Sequence, residues 1–147
     1  MSVGPKALLD LPRAQLAADL LPFRGAFDAG APLVMLSYAR YSALDHGRIA
    51  SQSHAIATGL LRDRLGFSGV TMTDSLEADA ALAPTGGDVG AAAVRSLMAG
   101  ADLLLTTGPG SFPLVREAVA AAARQSAAVR ARVVKAVARV LVLRRGL

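Results

Sequence analysis

The stretch GFSGVTMTDSLEADA, residues 66–80, decides the architecture. Val70, Thr71, Met72 and Thr73 make a short β-prone run that stops on a carboxylate, Asp74. Just upstream, HAIATGLLRDRLG puts Ile56, Leu60, Leu61 and Leu65 on one helical face before Gly66 ends the helix, with Ser51 or Ser53 as the candidate cap. Downstream, SLEADAALA reads as a short helix, and VGAAAVRSLMAGA as a longer one that ends near Gly100. A helix, a strand ending on a charge and another helix make a unit whose strand is covered by its neighbours.

The unit recurs. PLVMLSYA, residues 32–39, and DLLLTT, residues 102–107, are apolar runs of strand length. LPRAQLAADLLPFRGAFDAG precedes the first as two helices broken near Pro22 and closed by Gly30. Two helices, roughly 112 to 124 and 127 to 144, follow the last. Strand, loop and helix three times over predicts parallel strands, because parallel neighbours need crossovers of about a dozen residues or more. The expected class is α/β, one domain over 1–147 with about three parallel strands and flanking helices. So thin a sheet needs its second face covered, either by the N-terminal helices or by a partner chain.

Bulk composition agrees with a packed core: 53% of residues are hydrophobic and 18% charged. With no cysteine, and with His46 and His54 outside any zinc spacing, neither a cofactor nor a metal is expected. No apolar run reaches the length of a membrane span and the first residues lack a signal-peptide core, so the chain as given reads as cytoplasmic, with no membrane contact. The net charge of +5 is concentrated at one end: residues 124–147 hold seven basic side chains and no acidic one. There Val129, Val133, Val137 and Val140 share one helical face, while Arg132, Lys135 and Arg139 lie on another, which predicts a surface helix docked on the core rather than a nucleic-acid arm.

In parallel α/β folds, reactive groups gather where strands end and loops begin. Asp74 stands at such an end. Local pattern alone favours a helix cap there, with Glu77 three residues on as in a capping box. Thr71 and Thr73 alternate with Val70 and Met72, so one pair faces inward and the other faces the helices. The glycines of TGPGS, residues 107–111, could cradle an anion at a helix start; without a lysine they match no phosphate loop, and a turn is expected.

Three segments carry a resemblance to a known family: DLLPFRGAFDAGAPLVMLSYARYSALD, SQSHAIATGLLRDRLGFSGVTMTDSLEADA and AAAVRSLMAGADLLLT. From about residue 8 onward the chain resembles the catalytic barrel of glycoside hydrolase family 3, which includes bacterial β-N-acetylhexosaminidases and β-glucosidases. The resemblance implies a partial (β/α)8 TIM barrel, with these strands equivalent to the last part of the eight-stranded whole. It implies retaining hydrolysis of β-linked N-acetylglucosamine or glucose, with Asp74 as nucleophile and with Tyr38 and Arg40 as candidate substrate contacts.

Two features of the family pattern are missing: the Lys-His-Phe-Pro-Gly type of motif that grips the sugar, and the Asp-His pair expected before residue 8, where MSVGPKALL stands. The implied partners are therefore a carbohydrate and either a second copy or a separate N-terminal barrel half, with little hydrolysis by the chain alone. A non-catalytic interaction module that kept the partial fold is the alternative.

Overall fold

The computed structural model describes residues 8–9 and 12–146. In chain order these form β1 (Leu8–Leu9), α1 (Arg13–Asp19), α2 (Leu21–Asp28), β2 (Leu33–Leu36), β3 (Arg40–Tyr41), a 3-10 turn (Ala50–Gln52), a π-helix (Ala55–Arg64), β4 (Val70–Thr73), α3 (Asp79–Leu82), a second 3-10 turn (Ala83–Thr85), α4 (Val89–Ala99), α5 (Ser111–Gln125) and α6 (Ala127–Arg145). Pro22 lies in the first turn of α2, where its missing N–H costs no hydrogen bond, so the break before it is the one the sequence predicts.

β2 and β4 pair in parallel from Leu33↔Val70 to Leu36↔Thr73. The 102–107 segment runs along the other side of β4, bridging Met72 to Leu103 and sending the N–H groups of Asp102 and Leu103 to the Thr71 carbonyl at 2.9 Å. The three expected parallel strands are present, the third shortened to this bridge. β1 and β3 make a separate two-residue parallel pair. Gly69 lets β4 enter beside β2, since a Cβ there would sit 2.5 Å from the Pro32 carbonyl oxygen.

Alternation gives the sheet two different faces. Val34, Leu36 and Leu104 pack with Ala57 and Leu61 of the π-helix and with Phe67, Ala99 and Ala101. Thr71 and Thr73, in register with Val34 and Leu36, share that helix-covered side and are fully buried. On the other face Met35 is 49% exposed and Leu33, Met72 and Leu103 are only half-buried, while Val70 is buried. α2 leaves it uncovered: it buries none of its residues, and Phe27 instead meets Phe67 on the helix side, ring centroids 4.7 Å apart.

Two local expectations are corrected, the winding of the 55–64 helix and the outward basic face of α6, and one, the Ser53 cap, is met. The π-helix buries Ile56 and Leu61, five residues apart, because its wider winding returns to the same face one residue later than an α-helix does. Ser53 caps it, accepting from the Ile56 N–H at 3.3 Å and donating to Asp45 at 2.6 Å; His54 is exposed and makes no cap bond. In α6 the valine and arginine faces are flanks of a single inward arc centred on buried Ala136. Val129 is buried there, Val137 is 51% exposed, and Arg132 and Arg139 turn inward.

The arginines turn in because Asp102 is buried at the start of the third strand. Its Oδ2 accepts from Arg62 at 2.6 Å and from the Thr71 N–H and hydroxyl, both at 3.1 Å. Its Oδ1 accepts from Arg132 at 2.7 Å and Arg139 at 3.1 Å. Backbone carbonyls share the positive charge: Phe67 and Gly69 accept from Arg62, Gly100 and Ala101 from Arg132. Burial pulls the Arg62 pKa below the ordinary guanidinium value, and Asp102 opposes that pull.

Candidate active site

Asp74 follows Thr73 directly at the C-terminal end of β4 and is exposed. One carboxylate oxygen accepts the Ser75 N–H at 2.7 Å. The Asp74 backbone carbonyl accepts the Tyr38 hydroxyl at 2.6 Å, strapping the ends of β2 and β4 together. Burial raises the Tyr38 pKa and the neighbouring Asp74 charge raises it further, so the phenol stays protonated and keeps donating. Between these strand ends lies an open cleft of about 440 Å³, lined by Met35, Leu36, Ser37, Tyr38, Ala39, Asp74 and Ala80.

The structure thus brings Asp74 and Tyr38 together. Arg40 does not line this cleft; it lies in β3, half-buried and paired with Leu8. The stretch before Leu8, where the resemblance implies an Asp-His pair, lies outside the described residues.

The capping-box expectation fails. No helix begins at Ser75; Leu76 and Glu77 form a turn, and α3 starts only at Asp79. Glu77 instead reaches across to the loop after the third strand. Its Oε1 accepts the Gly108 N–H at 2.9 Å, the Thr107 N–H lies 3.1 and 3.2 Å from its two oxygens, and its Oε2 accepts the Ser75 hydroxyl at 2.7 Å. The Ser75 hydroxyl also lies 2.8 Å from Thr107 Oγ1. Partial burial pushes the Glu77 pKa up, but the bonds from Ser75, Gly108, Ser111 and Thr107 outweigh it and hold the group at about 2.

The anion that TGPGS was suited to cradle is therefore Glu77 of this same chain. Gly108 permits the approach, since a Cβ there would stand 3.0 Å from Ser111 Oγ and 3.1 Å from Glu77 Cγ. Sequence reasoning singled out both partners, yet paired Glu77 with its own helix. The one signal for the true pairing was the glycine-bounded loop after DLLLTT.

Parallel strands with helical crossovers, one sheet face only partly covered and a carboxylate at a strand's C-terminal end are features of part of a TIM-type barrel. The chain belongs to glycoside hydrolase family 3: the model of the glycosyl hydrolase family 3 N terminal domain matches residues 6–143. An uncharacterized secreted glycosyl hydrolase of Arthroderma benhamiae is 40% identical over 106 residues, covering 70% of this chain and 30% of that protein.

Among solved structures, the β-N-acetylhexosaminidase of Beutenbergia cavernae superposes with a TM-score of 0.78 at 34% identity, over 88% of this chain and 38% of that one. The family 3 β-N-acetylglucosaminidase of Paenibacillus sp. gives a TM-score of 0.85 at 30% identity, over 98% of this chain and 28% of that one. The chain thus spans well under half the length of these relatives. Among the described residues no helix is long and apolar enough to cross a membrane.

Proposed function

We propose that the chain carries the nucleophile-bearing part of a retaining family 3 glycosidase acting on β-linked N-acetylglucosamine, with Asp74 as the nucleophile. The observation that carries this reading is the placement of Asp74: exposed, held among the described residues by a single N–H donor, and facing an open cleft at the end of a parallel strand. Such a carboxylate is free to attack an anomeric carbon, form a glycosyl ester and stabilise an oxocarbenium-like transition state. The names of the two solved relatives favour N-acetylated sugars over glucose.

A retaining enzyme also needs an acid/base roughly 5 Å from the nucleophile, across the scissile bond. Glu77 does not suit that role. A general acid needs a raised pKa, whereas Glu77 is held at about 2 and its oxygens are occupied by Ser75, Thr107 and Gly108. The acid/base and the remaining strands come from residues beyond those described, either in a longer chain or in a second polypeptide. The half-open sheet face at Leu33, Met35, Met72 and Leu103 is where such strands would pack. This reading invokes neither nucleic acid nor membrane; within the basic tail, Arg132 and Arg139 are turned onto Asp102. The cytoplasmic placement competes with the secreted label of the fungal relative, and fractionation of the source cells decides between them.

The test is hydrolysis of a fluorogenic N-acetyl-β-glucosaminide by the 147-residue chain, alone and mixed with the separately made first part of a family 3 barrel. Negligible turnover alone, and turnover on mixing that Asp74→Asn abolishes, is the expected result. Robust turnover by the chain alone would overturn the shared-barrel reading, and turnover indifferent to Asp74→Asn would overturn the nucleophile.

A further inference from the structure

We propose that Glu77 is a positioning residue that sets the direction of the Asp74 carboxylate by clamping Ser75 between the loops that follow β4 and the third strand. The role rests on the reading of Asp74 as nucleophile, but the clamp is a geometric claim of its own. Among the described residues, the hydrogen bond that orients the Asp74 side chain comes from the Ser75 N–H. Where that N–H points depends on where the Ser75 backbone sits, and the Ser75 hydroxyl is anchored at 2.7 Å to Glu77 Oε2 and at 2.8 Å to Thr107 Oγ1.

Glu77 is in turn fixed by the Thr107 and Gly108 N–H groups, thirty and thirty-one residues along the chain. Between them, Leu76 is fully buried and sends its own N–H to the Leu105 carbonyl at 3.0 Å, so residues 75–77 are pinned to the third strand at three successive positions. Asp74 is thus braced from both neighbouring strands: from β2 through Tyr38 on its carbonyl, and from the third strand through Ser75 on its carboxylate.

Glu77 does not touch the reacting atoms. Its contribution is angular. Nucleophilic attack requires the oxygen to be aligned with the anomeric carbon, and a misplacement of about 1 Å can cost on the order of 100-fold in rate. Truncation at Glu77 leaves the Thr107 and Gly108 N–H groups and the Ser75 and Ser111 hydroxyls without their acceptor, which releases Ser75 and lets the Asp74 carboxylate swing. The conservative amide keeps one acceptor oxygen for Thr107 and Gly108, and therefore restores part of the clamp.

Two readouts on the chain separate the clamp from the nucleophile. The first is nuclear magnetic resonance of the wild type, Glu77→Gln and Glu77→Ala, following the Ser75 amide proton while the Asp74 carboxyl carbon is titrated. The second is the rate of adduct formation with an activated 5-fluoro N-acetylglucosaminide, measured across probe concentrations with the chain mixed with the separately made first part of a family 3 barrel. The expected result is a Ser75 amide that tracks Asp74 in the wild type, loses that coupling in Glu77→Ala and partly regains it in Glu77→Gln. Labelling should be about 10- to 100-fold slower in Glu77→Ala at saturating probe, with an unchanged half-saturating concentration. Coupling retained in Glu77→Ala, or labelling at the wild-type rate, overturns the clamp and leaves the nucleophile standing. A wild type that never labels removes the nucleophile, and the Ser75 coupling alone then decides the clamp.

Discussion

Two aspartates sit at opposite ends of the same small sheet, and their surroundings differ in every respect. Asp102 starts the third strand, buried, with Arg62, Arg132 and Arg139 on its carboxylate and Thr71 donating twice more. Asp74 ends β4, exposed, with one backbone N–H on its carboxylate. The first is surrounded by donors and has none of its carboxylate open to solvent; the second is braced from behind and open in front. In barrels of this kind the two strand ends divide their work, one for stability and the other for chemistry. On the proposed reading, Asp102 and Asp74 take those two parts.

The sharpest way to break the comparison is to neutralise each aspartate in turn. Asp102→Asn leaves three inward arginines without their carboxylate, and removing one partner of a buried ion pair costs about 3–5 kcal/mol. Urea unfolding should show that loss as a lower midpoint at unchanged slope. At the chemical end, crowding the clamp has a smaller effect: Gly108→Ala must push Ser111 or Glu77 aside by a few tenths of an ångström, for about 1 kcal/mol in the same assay.

Acid sharpens the comparison further. Glu77 is depressed from 4.5 to about 2, so its contribution to stability is fully present above the higher value and is lost as pH falls through the lower one. Thermal melts between pH 4.5 and 2 should therefore fall less steeply for Glu77→Gln than for the wild type. The smallest effect belongs to Asp74→Asn, whose exposed side chain keeps an oxygen for the Ser75 N–H; its stability should stay within about 0.5 kcal/mol of the wild type. An Asp74→Asn loss as large as that of Asp102→Asn would erase the distinction between the two ends.

Much of this was legible in the sequence because the deciding signals were local. The run Val70–Thr73 gave β4, and Pro22 and Gly30 bounded the second helix where the structure has it; Asp74 was singled out as candidate nucleophile by the family resemblance, since its local pattern favoured a helix cap. What was misread depends on partners far along the chain. Asp-x-x-Glu at 74–77 is the same pattern whether the glutamate turns back on its own helix or crosses to Thr107 and Gly108. Only the approach of the third strand selects the crossing. Likewise, a helical wheel of residues 127–145 separates valines from arginines, but it cannot show that Asp102, some thirty residues earlier, draws Arg132 and Arg139 inward. The wider winding of Ala55–Arg64 left no mark in the spacing of Ile56, Leu60, Leu61 and Leu65.

The most direct test of the account is mass spectrometry of the chain, mixed with the separately made first part of a family 3 barrel, after incubation with an activated 5-fluoro N-acetylglucosaminide, with a 2-deoxy-2-fluoro glucoside beside it and Asp74→Asn as control. The account predicts a single covalent glycosyl adduct that maps by peptide digestion to Asp74, favours the N-acetylated probe and is absent from the variant. A folded wild-type chain, shown so by its cooperative urea transition, that takes up neither probe, or takes one up at any residue other than Asp74, would contradict it.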